Sequence, residues 1–403
     1  MLRPQVACHR ERRVHGGAAA HRDGRRAPTQ ATTSGRCAKL ACNRYTTTRR
    51  RTAGARVQAL TTIPGQASSA RLDDVDEPPR GDGAILVDTL AIGVCGTDVD
   101  IVGGVFGAPP PGQQRLVLGH ESLAQVREAP AGSGLARGDL VVGIVRRPDP
   151  VPCPNCAIDE WDMCRNGRYT ERGIKERDGY CAERYRIEPE FAVKIDPALG
   201  VLGVLLEPTS VVAKAWEHVE RIGARARWRP ARVLVTGAGP IGLLAALLGR
   251  QRGLEVHVLD RIESGPKPQL VRDLGATYHT GAVAETPPAD VVIECTGAGS
   301  VVVDAMIHAA ENGIVCLLAV SAAGRTLPVD VGTLNRTLVL RNAVVFGSIN
   351  ANRRHYHAAA AALATADRGW LERLITRRVP LHDWADALAR RPDDVKPIID
   401  LTR

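Results

Sequence analysis

Cys95, His120, Glu121 and Glu207 are the residues in this chain whose types and order could do chemistry together. Gly93-Val-Cys95-Gly-Thr97-Asp98 is followed, 25 residues after the cysteine, by Gly119-His120-Glu121, and Glu207-Pro208 comes later. Thiolate, imidazole and carboxylate are zinc donors, and a catalytic zinc site leaves one coordination position open for water or substrate. Cys95, His120 and one or both of Glu121 and Glu207 would supply such a set. Each residue alone is unremarkable. Their order ahead of a nucleotide-binding motif is what gives them meaning.

That motif is Gly237-Ala238-Gly239-Pro240-Ile241-Gly242. It directly follows the apolar run Arg232-Val-Leu-Val-Thr and opens a helical pattern. The first glycine permits a tight turn, the second lets backbone approach a pyrophosphate, and the third lets helix and strand pack closely. The helix N-terminus then offers free N–H groups to phosphate. Asp260 ends the next expected strand, 18 residues beyond Gly242, where an acid accepts hydrogen bonds from a ribose 2′-hydroxyl. Arg261 beside it could instead hold a 2′-phosphate. The motif therefore predicts NAD or NADP, with Asp260 favouring NAD.

These motifs need elements to hold them. Residues 57 to about 200 alternate like short strands, as in Ile85-Leu-Val-Asp-Thr-Leu-Ala-Ile-Gly, broken by turns such as Pro78-Pro79-Arg80-Gly81-Asp82-Gly83. Helices are expected over 211–222, 241–252, 300–310 and 355–367, and strands over 232–236, 255–260, 290–294, 313–318 and 343–347. That alternation predicts a parallel sheet covered by helices. The fold class is α/β: a β-rich catalytic domain over 57–210 and 345–403, and a doubly wound dinucleotide-binding domain over 211–344. No apolar run reaches the roughly 20 residues of a membrane helix.

The formal charge of +9 is unevenly spread. Residues 1–56 hold thirteen arginines and one lysine against Glu11 and Asp23, a balance of +12, leaving 39 basic and 42 acidic residues, or −3, for the rest. The leader is expected to be disordered, with a nucleic-acid arm or targeting segment as the alternatives. It has only Tyr45 as an aromatic, and no nucleic-acid partner is expected for the body. No secretory apolar stretch is present, so the expected compartment is the cytoplasm. Ten cysteines in a chain of this kind point to metal more than to disulfides, above all the cluster Cys153, Cys156 and Cys164.

From about residue 57 to 403, Cys-Gly-Thr-Asp, then Gly-His-Glu, then Glu-Pro, then Gly-x-Gly-x-x-Gly resembles the medium-chain zinc dehydrogenases, whose catalytic domain is GroES-like. Val145-Arg-Arg-Pro, Glu171-Arg-Gly-Ile174, Asp178-Gly-Tyr, Glu207-Pro-Thr-Ser and the stretch Asn335 to Asn352 resemble the glucose 1-dehydrogenases in particular. The resemblance implies hydride transfer from C1 of glucose to NAD(P). It implies Thr97 and Glu121 as proton-handling residues, and Glu171, Glu207 and Asn350 as sugar contacts. Val320 and Ser348 would line the nicotinamide pocket, and Lys396 would touch the cofactor. Polyol, threonine or simple alcohol oxidation on the same scaffold is the alternative. The second cysteine cluster resembles the family's structural zinc lobe, with Pro150 where a first cysteine would stand and Asp149 as the substitute ligand. A homo-oligomer, dimer or tetramer, is implied by the resemblance alone.

Overall fold

The computed structural model describes residues 56–321, 324 and 326–403. Most of the Arg-rich leader, with the expectation of disorder made for it, lies outside the described residues. The chain from Arg56 builds the expected β-rich domain. Its main sheet has seven strands, and the long strand Ile85–Gly93 lies at its heart. That strand pairs antiparallel with Glu121–Glu128 on one side, and with Arg184–Ile187 and Lys396–Asp400 on the other. Its rich Ile, Leu and Val content suits a pleated, two-sided buried position. The last strand thus returns from the C-terminus to complete the first domain.

The register has a consequence for chemistry. Gly93 lies opposite both Glu121 and Ile398. Three sequence-distant segments, around Cys95, Glu121 and Lys396, therefore meet at one end of the sheet.

The second domain is a six-stranded all-parallel sheet. Its order is Thr277–His279, Glu255–Leu259, Arg232–Thr236, Val291–Glu294, Ile314–Leu317 and Val344–Gly347. Arg232–Thr236 has a later strand on each side, so strand order reverses beside it. That is the switch point where such sheets bind ligands beyond the carboxyl ends of their strands. Val233 and Val235 face the main core, and Leu234 faces a separate apolar cluster with Leu259, Val292 and Ala305. Both faces are covered, as a parallel sheet requires.

Val344–Gly347 pairs with Ile314–Leu317 and closes the parallel sheet, as the strand expected over 343–347 requires. One boundary differs from the sequence expectation. The helix expected over 211–222 runs Leu206–Gly223, and Glu207 sits in its first turn. Pro208 is tolerated there because first-turn N–H groups have no intrahelical partner, and an acid is favoured at that end. The combined helical run Pro197–Gly223 is long and apolar enough to cross a membrane, with a hydropathy of 1.5, against the sequence expectation. However, 78% of its most apolar window is buried within the fold. Its apolar residues are buried in the main core, Val212 and Trp216 among them.

Candidate active site

Cys95 caps the short helix Gly96–Val102 just past the end of the central strand. Asp98 closes this cap: its Oδ2 accepts the Cys95 N–H at 2.9 Å. Its other oxygen, Oδ1, lies 3.2 Å from Nδ1 of His120. One buried carboxylate thus fixes both Cys95 and His120. With Nδ1 turned to Asp98, the His120 Nε2 is left to meet a metal. Such carboxylate–histidine pairs orient metal-bound imidazoles. Gly119 holds the preceding turn at φ 87°, where a Cβ would come 2.9 Å from that of Cys181.

Ligand atoms of Cys95, His120 and Glu121 all lie within 4.8 Å of one another. Burial works against the His120 imidazolium, but the neighbouring Asp98 charge overcomes it and raises the pKa well above the ordinary histidine value. Glu207 is buried on the same side. Burial, reinforced by Glu121 and opposed by His120, pushes its carboxyl up to about 7. Thr97 is half-buried in the first turn after Cys95. Soft thiolate, borderline imidazole and hard carboxylate together fit zinc, and the fit holds at this site.

Lys396 has a partner that the sequence did not suggest. Its side chain is 1% exposed, and the ammonium donates to both Glu121 oxygens at 2.8 and 2.6 Å and to the Val94 carbonyl at 3.1 Å. It is a partner of Glu121. The reason is the pairing of its strand beside Ile85–Gly93. Burial opposes its charge, but Glu121 more than offsets this, so the Lys396 pKa is raised. Glu121 is thereby bound to a cation, and Glu207 is a second buried carboxylate close enough to feel its charge.

The cofactor cradle follows the motif closely. Gly237 adopts φ 92°, and a Cβ on Gly242 would fall 1.7 Å from the Gly237 carbonyl oxygen. Nothing lies within 4 Å of where a Gly239 Cβ would be, so the space over the turn is open. Pro240 and Ile241 begin the helix Pro240–Gln251. The Asp260 carboxylate accepts the Ala238 N–H at 2.6 Å and the Ile262 N–H at 3.1 Å. Arg261 is exposed beside it. Ser348 Oγ is buried without a hydrogen-bond partner, a donor held in readiness at the sheet's carboxyl end. Val320 is 83% exposed. These residues fit a dinucleotide.

Glu171 and Asn350, 179 residues apart, are brought together. The Asn350 amide donates to Glu171 Oε1 at 2.7 Å. Arg146 donates to the same oxygen through Nε at 3.0 Å and Nη2 at 2.9 Å. Glu171 Oε1 is saturated, while Oε2 carries none of the described bonds. Glu207 is buried near His120 and Glu121.

The second cysteine cluster is compact but incomplete. Sulfurs of Cys153, Cys156 and Cys164 lie within 4.8 Å of one another. Backbone N–H groups of Arg165 and Cys156, each 3.4 Å away, lower the Cys153 thiol to about 6. Burial raises Cys156 to about 11. Asp149 is not a fourth ligand, contrary to expectation. Its carboxylate is taken up by the Val151 N–H at 2.8 Å, Asn166 at 2.8 Å and Arg168 at 3.3 Å. A closed structural zinc needs four donors. Among the described residues this lobe offers three, so the fit fails there.

Sequence reasoning missed Asp98 and Arg146. Asp98 was visible as the last residue of Cys-Gly-Thr-Asp, three positions after Cys95, which is capping-box spacing. Arg146 had no such signal, because its partner lies 25 residues away across a strand pair.

Comparison with known proteins agrees with this geometry. The family model for the alcohol dehydrogenase GroES-like domain matches residues 81–197, and that for the glucose dehydrogenase C-terminus matches residues 200–401. The glucose 1-dehydrogenase of Methanocella arvoryzae is 39% identical over 86% of this chain and 99% of its own. That of Thermoproteus tenax is also 39% identical, over 86% and 99%. The structure of the Haloferax mediterranei glucose dehydrogenase with NADP, Zn and gluconolactone aligns with a TM-score of 0.79 at 30% identity, covering 86% of this chain and 99% of that one. The chain belongs to the glucose 1-dehydrogenase family of zinc-dependent medium-chain dehydrogenases.

Proposed function

We propose that the protein oxidises the C1 hydroxyl of D-glucose, or of a related aldose, to the lactone while NAD or NADP is reduced. The observation that carries the sugar assignment is Glu171 with one oxygen saturated by Arg146 and Asn350 and the other free. A carboxylate held in this way accepts from hydroxyls, and a site built to bond hydroxyls rejects analogues that lack them.

Cys95, His120 and Glu207 would hold zinc, which when bound supplies Lewis acidity that lowers the pKa of the substrate hydroxyl. Asp98 keeps His120 in the tautomer that faces the metal. Lys396 fixes the Glu121 carboxylate beside it. The Thr97 hydroxyl passes the substrate's proton outward, and Glu121 supports that relay. The turn at Gly239 receives the pyrophosphate and Asp260 the adenosine ribose. The Ser348 hydroxyl and the backbone near Val320 border the nicotinamide. Arg261 lies where a 2′-phosphate would be met, so both cofactors are used. That agrees with NADP in the Haloferax relative.

Assembly and compartment follow from the surface. Val344–Gly347 is an edge strand, and the neighbouring helix Val331–Leu340 buries none of its residues, leaving Val331, Val339 and Leu340 exposed. A two-fold homodimer through this edge would cover them. The seven cysteines of the described residues are all free, which suits a reducing cytoplasm.

Steady-state reduction of NAD and of NADP is the test, with glucose, galactose, xylose, sorbitol, threonine and ethanol as substrates. Turnover fastest on glucose supports the reading. Preference for sorbitol, threonine or ethanol would overturn the assignment of Glu171 and Asn350 while leaving the scaffold chemistry intact.

A further inference from the structure

A buried polar cluster lies directly behind Glu171 and Asn350. Lys214, on the helix Leu206–Gly223, is 1% exposed. Its ammonium lies 2.9 Å from Asp162 Oδ2 and donates to the Ile349 carbonyl at 3.0 Å. Asp162, 3% exposed, accepts the Asn352 amide on Oδ1 at 2.9 Å. Its backbone carbonyl accepts Arg146 Nη1 at 3.0 Å. Arg146 also donates through Nε and Nη2 to Glu171.

The connectivity has a direction. Asn350 is flanked by Ile349 and Asn352, one held by Lys214 and the other by Asp162. It sits at φ 63°, in the left-handed region. A non-glycine residue persists there only when its surroundings over-determine it. Glu171, to which Asn350 donates, is held by Arg146, which is itself anchored on the Asp162 backbone carbonyl. The Asp162 side chain and Lys214 therefore support the Asn350 segment, and the Asp162 backbone carbonyl, which Lys214 also reaches at 3.4 Å, supports Arg146 and through it Glu171.

Stability alone gives no reason for such a pair. Two charges lose much hydration on burial, and replacing a buried ion pair with apolar groups is often neutral for stability. What the pair does supply is fixed geometry.

We propose that Lys214 and Asp162 are positioning residues that set sugar affinity and selectivity by fixing Asn350 and the Arg146–Glu171 pair; this rests on the sugar-site reading above. Misplacement of a positioned group by about 1 Å can reduce rates by about 100-fold. Loss of this support is thus felt mainly at the sugar and little at the cofactor.

The test uses the full-length, zinc-loaded protein and the double variant Asp162→Asn/Lys214→Met, which removes both charges together and so avoids an unpaired buried ion. Thermal melting establishes that it is folded. Glucose and cofactor are then varied separately. The expected result is a KM for glucose raised about tenfold, with the cofactor KM within about twofold and kcat within about threefold. Should the double variant melt early, Asn352→Ala, which removes the Asp162 Oδ1 bond together with the one to the Asp159 carbonyl, is expected to show the same split. An unchanged glucose KM in folded protein overturns the proposal. So does a parallel rise in both KM values, which marks general loosening. Wild-type turnover on glucose is recorded first; its absence would count against the sugar reading, and the split would then be measured on the preferred substrate.

Discussion

Asp98 shows how much one carboxylate can set at the scale of single residues. It receives the Cys95 N–H and faces the His120 ring, so two candidate ligands depend on it. Asp98→Ala is expected to lower zinc affinity and kcat/KM by about 10- to 100-fold. Metal content after dialysis and steady-state kinetics check this, and unchanged values would show that Cys95 and His120 are held without it. The ligand types were legible in the sequence because Cys, His and Glu in this order are chemically distinctive. The role of Lys396 was not. Its partner Glu121 is 275 residues away, and only strand pairing reveals the contact. Asp149 misled for the complementary reason. Its position beside the missing cysteine suggested a ligand, whereas its carboxylate binds its own loop.

Elements were legible where apolar periodicity was strong. Five of the six described strands of the parallel sheet and the helix after the glycine motif were placed within a residue or two, whereas Thr277–His279 was not foreseen. The helix Val331–Leu340 was not foreseen, since none of its residues is buried and it lacks a core-facing stripe. The small sheet holding Glu171 is stiffened by an ion cluster at the base of the lobe. Arg147 donates to Glu188 through Nη2 at 2.8 Å and stacks over Phe191, and Arg177 reaches the other Glu188 oxygen. Burial acts to raise the Glu188 pKa, but Arg147 and then Arg177 outweigh it, so it is lowered. A lowered carboxylate pKa contributes stability above its unfolded value of about 4.3, and this is lost as pH falls through the folded value. Glu188→Gln is therefore expected to melt lower than wild type at neutral pH, with the gap narrowing in acid. Thermal melts across that range check it, and a pH-independent gap would contradict the assignment.

The whole molecule joins these parts by a chain that leaves its first domain and comes back. The terminal strand Lys396–Asp400 closes the sheet that presents Cys95, and the parallel sheet between places its glycine turn at the reversal of strand order. The metal-side group, the sugar candidates and the cofactor turn come from segments scattered along the chain, and the fold alone gathers them. Of the two cysteine-bearing clusters among the described residues, only the one built on Cys95, His120 and Glu121, with Glu207 buried nearby, has a donor set that fits zinc. The most direct test counts zinc per chain and follows glucose-dependent cofactor reduction through chelation and zinc re-addition, in wild type and in Cys95→Ser. One zinc per chain is expected, with activity lost on chelation, restored by zinc and largely absent in the variant. Full activity in metal-free protein, or wild-type activity in Cys95→Ser, would contradict the account.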